Sequence, residues 1–179
     1  MARTIANIHE HFSWETYRSM LDYIARGLNP WHEILGRSRE AGLDTSIFTD
    51  INAVEGRSLW DEAIFSCLNK VSLPHQVLNK DTILFTEEIQ PIIIARAREV
   101  LSKEGHVTAF GADRALTPGM TAEDTARQIR DCGGLVLPAH CLAYSGIGAR
   151  KVRELREKNL LDGLEEDGFL WKQIPLTHL

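Results

Sequence analysis

Four of the seven histidines stand where an ion can be held. His9 and His11 are two residues apart at the end of an apolar run. On an extended chain alternate side chains share a side, so both imidazoles can reach one cation; a hydrogen-bonded structural pair has the same spacing. His140 follows Leu135-Val136-Leu137-Pro138-Ala139, above a buried strand, either as a ligand or as a core histidine satisfied by hydrogen bonds. His106 follows Gly105 at the entrance of the apolar run 107–110, a place an ordinary histidine also takes. Glu87-Glu88 close the run 82–86. A carboxylate there can bridge two cations, and it equally suits the first turn of a following helix.

Elements must carry these residues. Strand-like runs at 4–8, 45–49, 82–86, 107–110, 135–139 and, weakly, 160–164 alternate with helical patterns at 14–25, 59–69, 91–103, 122–132 and 149–158. A further helix has Asn29 to cap it, Pro30 in its first turn and Gly42 to end it. Thr121 and Asp124 have the spacing of a capping-box variant, and Gly133-Gly134 can stop the helix they open. The stretch 71–81 reads as a loop or excursion. This alternation predicts about six β-α units around a mainly parallel sheet. His9, His11 and His140 fall at or just past the C-terminal ends of strands, the rim where active sites form in barrel-like α/β folds.

With 179 residues, 44% hydrophobic and 25% charged, the chain reads as one folded domain, 1–179. No repeat or Pro/Gly/Ser linker divides it. No apolar run reaches the roughly 20 residues a membrane helix needs, and Met1-Ala2-Arg3-Thr4 has no apolar signal stretch, so a cytoplasmic location without membrane association is expected. A net charge of −5 disfavours a broad nucleic-acid face and suits a small phosphorylated substrate. Cys67, Cys132 and Cys141 are odd in number and widely spaced, as reduced core thiols would be.

The order of the motifs carries more than any one of them. Asn7-Ile8-His9-Glu10-His11-Phe12-Ser13 resembles the opening Asp-Leu-His-x-His-x-x-Ser pattern of the polymerase-and-histidinol-phosphatase (PHP) family. Ala41-Gly42-Leu43-Asp44 with Phe48-Thr49-Asp50-Ile51-Asn52, and Glu55-Gly56 downstream, look like its second strand. Glu88-Ile89, Gly105-His106-Val107, Gly133-Gly134-Leu135 through Ala139-His140, and Asp162-Gly163-Leu164-Glu165 are similar to later segments in the same order. The resemblance implies a distorted TIM-like (β/α)7 barrel, here lacking its C-terminal unit. It also implies divalent ions, two in number and of zinc, manganese or iron. The implied ligands are His9, His11, Glu88, His106 and His140, with Glu88, His9 and His140 carrying the chemistry. The implied reaction is hydrolysis of a phosphomonoester or phosphodiester by a metal-activated water.

The sequence departs from that pattern at named positions. Ile51 stands where the family has a ligand histidine, Tyr17 where many members place another, and Cys141 where proline follows the histidine. No late Asp-x-His is visible; His178 has no aspartate two residues before it. Asp50 is a substitute ligand, a partner that orients one, or a turn residue. Arg114 and Arg150 follow site strands and are candidate phosphate contacts, with exposed arginines as the plain alternative. The competing class is a non-catalytic PHP-like scaffold with a decayed metal site. An amidohydrolase-like reaction is a third reading, without a visible bridging lysine. A barrel short of its last unit would expose a strand edge that a homo-oligomer can cover.

Overall fold

A computed structural model of the chain describes residues 6–10, 26, 30–51, 60, 68, 72–86 and 91–165. These fall into two compact units, Met1–Asp50 with Glu55–Ala97, and Ile51–Val54 with Arg98–Leu179. Each has its own apolar core.

In the first unit, strand β1 (Ala6–Glu10) runs parallel to β2 (Thr45–Ile51), Ala6 opposite Thr45. Helix α1 (Pro30–Glu40) precedes β2. Its arginines 37 and 39 sit in the last turn, where cations oppose the helix dipole. Gly42, at φ 66°, closes the helix by donating to the carbonyl of Arg39. Trp31, Ile34, Leu35 and Ser38 form the buried face at helical spacing. Ser38 Oγ donates to the Ile34 carbonyl at 3.0 Å and meets Ser46 Oγ at 3.0 Å, which ties α1 to β2. Trp31 packs edge-on against Trp60, centroids 6.2 Å apart, and tilted against Phe85 at 5.1 Å. Fully burying each such aromatic contributes about 1.5–3 kcal/mol.

Strands β3 (His75–Asn79) and β4 (Thr82–Phe85) form an antiparallel hairpin, and β4 is antiparallel to β5 (Ile92–Leu101). The pairing order is β1-β2-β5-β4-β3. Residues of β5 up to Ala97 belong to the first unit and those from Arg98 to the second.

In the second unit, β6 (His106–Phe110) pairs with β5 and with β7 (Leu135–Pro138), the latter antiparallel with Val107 opposite Pro138. Helix α2 (Ala122–Asp131) opens as its sequence predicts: the Thr121 hydroxyl oxygen accepts from the Asp124 amide at 3.1 Å. Ala122, Ala126 and Ile129 bury its inner face, beside Val107, Ala109 and Val136 of the strands and Val152 and Leu155 of α3 (Gly148–Glu157).

The expected TIM-like (β/α)7 barrel of about six β-α units is overturned. The sheet is mainly antiparallel, and among the described residues no pairing closes it into a barrel. The decisive difference is the stretch 91–103, which reads as a helix from Ala95-Arg96-Ala97-Arg98-Glu99 but forms the ten-residue strand β5. Ile92-Ile93-Ile94, three β-branched residues in succession, favour the pleated chain. Residues 96–100 are all buried, so this half of the strand is covered on both faces, and the alternation of buried and more exposed residues is confined to 92–95. With β5 in place of a crossover helix, β4 and β5 meet head to tail. The stretch 71–81 holds β3, and 160–164 is irregular chain rather than a strand. The predicted helices at 14–25 and, but for Trp60 and Leu68, at 59–69 lie outside the described residues. No helix among those described is long and apolar enough to cross a membrane.

Candidate metal centre

Three chain segments of the second unit bring two histidines onto one carboxylate. Glu99 sits near the end of β5, His106 is the first residue of β6, and His140 lies just past β7. Glu99 Oε1 is 2.6 Å from His106 Nδ1 and 3.0 Å from His140 Nε2. The two rings meet edge to face, centroids 5.2 Å apart. Glu99 is 1% exposed, whereas the imidazoles are 22% and 21% exposed, so a buried carboxylate lies behind two rings that reach solvent.

The backbone explains the convergence. Residues 102–105 turn β5 into β6, with the Ser102 amide and hydroxyl both donating to the Gly105 carbonyl. Gly105 has φ 140°, and a Cβ there would stand 2.5 Å from the carbonyl carbon of Gly146. Only glycine lets the His106 end of β6 lie this close to the 141–147 loop. The His106 amide then donates to the Ser145 carbonyl at 3.1 Å. His140 itself adopts φ 28°, a left-handed conformation uncommon outside glycine. Its amide donates to a Glu165 carboxylate oxygen, and the Ala143 amide donates to its carbonyl at 2.8 Å. The Asp162 amide donates to the Val136 carbonyl at 3.0 Å and its carboxylate accepts from the Val136 amide at 2.8 Å, which lays the 162–165 segment beside β7.

The donor set could hold a divalent transition metal. The nearest donor atoms of Glu99, His106 and His140 all lie within 4.8 Å of one another. Bonds of about 2.0–2.2 Å to one ion need donors about 3–4 Å apart, so Glu99 Oε1 and His106 Nδ1, now at a hydrogen-bond distance of 2.6 Å, would have to part by about half an ångström to share one. Two imidazoles and one carboxylate suit zinc, iron or manganese, and three protein donors leave a coordination position open.

The backbone of His9 lies in β1, while His11 and Glu88 lie outside the described residues, as do Tyr17 and His178. Asp50, at the end of β2, faces the Arg96 guanidinium, Oδ2 to Nε 2.9 Å, and Asp81 approaches the same group at 3.4 Å. All three side chains are largely buried, so the Asp50 carboxylate is committed to an ion pair in the first unit. Arg114 donates to Asp113 at 3.2 Å and to the Asp131 carbonyl. Arg150 is 89% exposed and lies 3.7 Å from Glu154 one helical turn on. Both guanidiniums are thus engaged by neighbouring acidic or carbonyl groups.

Glu99 and Ser145 are the groups that sequence reasoning missed. Glu99 was hidden in a stretch that reads as a helix; the run of isoleucines after Pro91 was the signal that could have exposed it. No family model matches the chain, and no curated protein matches it either.

Proposed function

We propose that the chain is a metal-dependent phosphoesterase, hydrolysing a phosphomonoester or phosphodiester of a small molecule or nucleotide, with Glu99, His106 and His140 holding one of its ions. The observation that supports this reading most is the convergence of His106 and His140 on Glu99, 7 and 41 residues away in sequence. Both histidines are ligands by the PHP resemblance as well. A divalent ion held by Glu99, His106 and His140 would supply Lewis acidity for phosphoester hydrolysis. Glu99 and the two imidazoles bind and orient, with the exposed sides of the rings leaving room for a substrate. His9 and His11 are assigned to a second ion on their spacing alone.

A second reading has its own observation. One Glu99 oxygen is within hydrogen-bond distance of both rings, so the trio can also fasten β5, β6 and the loop after β7 without metal, as a non-catalytic module would use it.

Elemental analysis of protein purified without chelator, beside a His106→Ala/His140→Ala variant, separates the two. About one or two equivalents of transition metal that fall in the variant, with hydrolysis of p-nitrophenyl phosphate or its diester, are expected. A wild-type chain that takes up no zinc, manganese or iron on reconstitution sinks the phosphoesterase.

A further inference from the structure

Ser145 touches both histidines of the centre, one with each end of the residue. Its hydroxyl lies 3.3 Å from His140 Nδ1, and its backbone carbonyl accepts the His106 amide at 3.1 Å. The loop that carries it has no slack. A Cβ on Gly146 would meet the His140 carbonyl oxygen at 2.3 Å, and the Gly146 amide donates to Ala143 at 3.0 Å. The serine is therefore held in register with the ring it faces.

Building on the metal-centre reading above, we propose that Ser145 is the positioning residue of that centre, its hydroxyl fixing His140 so that Nε2 points at Glu99 and the ion. A neutral imidazole carries one proton, so the partner of one nitrogen decides which lone pair the other presents. With a metal on Nε2, the proton sits on Nδ1 and is donated to Ser145 Oγ. Without a metal, Nε2–H can donate to Glu99 Oε1, and the Ser145 hydroxyl turns to donate to Nδ1. A hydroxyl is donor and acceptor in one group, so it serves both forms of the ring by rotating its hydrogen while the oxygen stays in place. Alanine serves neither, and threonine serves both. Outer partners of ligating histidines characteristically set metal affinity by about 10–100-fold. Ser145 is exposed, which places its effect at the low end of that range.

The test is a zinc titration of the full chain against a competing chelator, for wild type, Ser145→Ala and Ser145→Thr, with 15N NMR of the imidazoles. The carbonyl of residue 145 is unchanged in both variants, so the His106 amide keeps its acceptor and the fold is expected to hold. The expected result is an affinity about tenfold lower in Ser145→Ala, restored to within about threefold in Ser145→Thr. In the zinc-loaded wild type, His140 is expected as the Nδ1–H tautomer. That measurement stands even if Ser145→Ala does not fold. Wild-type affinity in Ser145→Ala, alanine-like affinity in a folded Ser145→Thr, or a His140 ring protonated on Nε2 in the loaded protein overturns the role of Ser145 and leaves the metal centre intact. A wild-type chain that binds no zinc overturns both.

Discussion

Gly105 and Gly146 approach so closely that a Cβ added to the first would lie 2.5 Å from the carbonyl carbon of the second and 2.6 Å from its oxygen. That contact is between backbones, so no side chain can swing aside to relieve it. Gly105→Ala adds a clash to a φ of 140° that alanine resists, and it is expected to cost about 2–3 kcal/mol. Urea unfolding measures the loss, and zinc affinity is expected to fall with it. Unchanged stability would show that the loop can withdraw.

Glu99→Gln tests the carboxylate at nearly constant volume. The amide offers a neutral oxygen in place of an anionic ligand, and zinc affinity is expected to drop beyond the roughly 100-fold that marks the upper end for outer-sphere partners. The circular dichroism of the metal-free protein is expected to change little. A variant that binds zinc as wild type does would remove Glu99 from the centre.

Asp50→Asn separates structure from ligation in the first unit. The buried Arg96 guanidinium loses the charge of the carboxylate 2.9 Å from its Nε and retains the longer approach of Asp81 at 3.4 Å. A stability loss of about 3 kcal/mol is expected, the low end for breaking a buried ion pair. Metal stoichiometry is expected to stay as in wild type; a lost equivalent would return Asp50 to the ligand set.

Glu123 gives a pH dependence of definite sign. Hydrogen bonds from Lys158 and Arg127 push its carboxyl from 4.5 down to about 2. Its contribution to stability is therefore complete above pH 4.5 and is lost as the pH falls through about 2. The difference in melting temperature between wild type and Glu123→Gln is expected to vanish over that interval. At neutral pH it is expected to shrink in high salt, because these groups are accessible to solvent. A difference as large at pH 2 as at neutral pH would refute this assignment.

Local signals were legible where local physics decides. The Thr121 cap, Pro30 and Gly42 at the ends of α1, and the apolar runs of β4, β6 and β7 were read from sequence because each depends on a few adjacent residues. His140 was singled out just past the end of such a run, and His106 by the order of motifs in the PHP resemblance. What failed was long-range pairing. Nothing local in Thr82–Phe85 announces that its partner will be Ile92 to Ala95, since strand direction is set by what the opposite chain offers. One element of mistaken type, 91–103, then reversed the handing-on from β4 to β6 and turned an expected barrel into an open, mainly antiparallel sheet. Glu99 was lost with it. His11 and Glu88 lie outside the described residues.

The Glu165 carboxylate that receives the His140 amide is made 25 residues after it. At about 5–20 residues per second on the ribosome, that is an interval of about 1–5 s in which the histidine has emerged in sequence order but its backbone anchor has not yet been synthesised. The anchoring of His140 therefore follows its synthesis rather than accompanying it. A nascent chain halted before Asp162 would hold Glu99, His106 and His140 without the tether that sets the last of them.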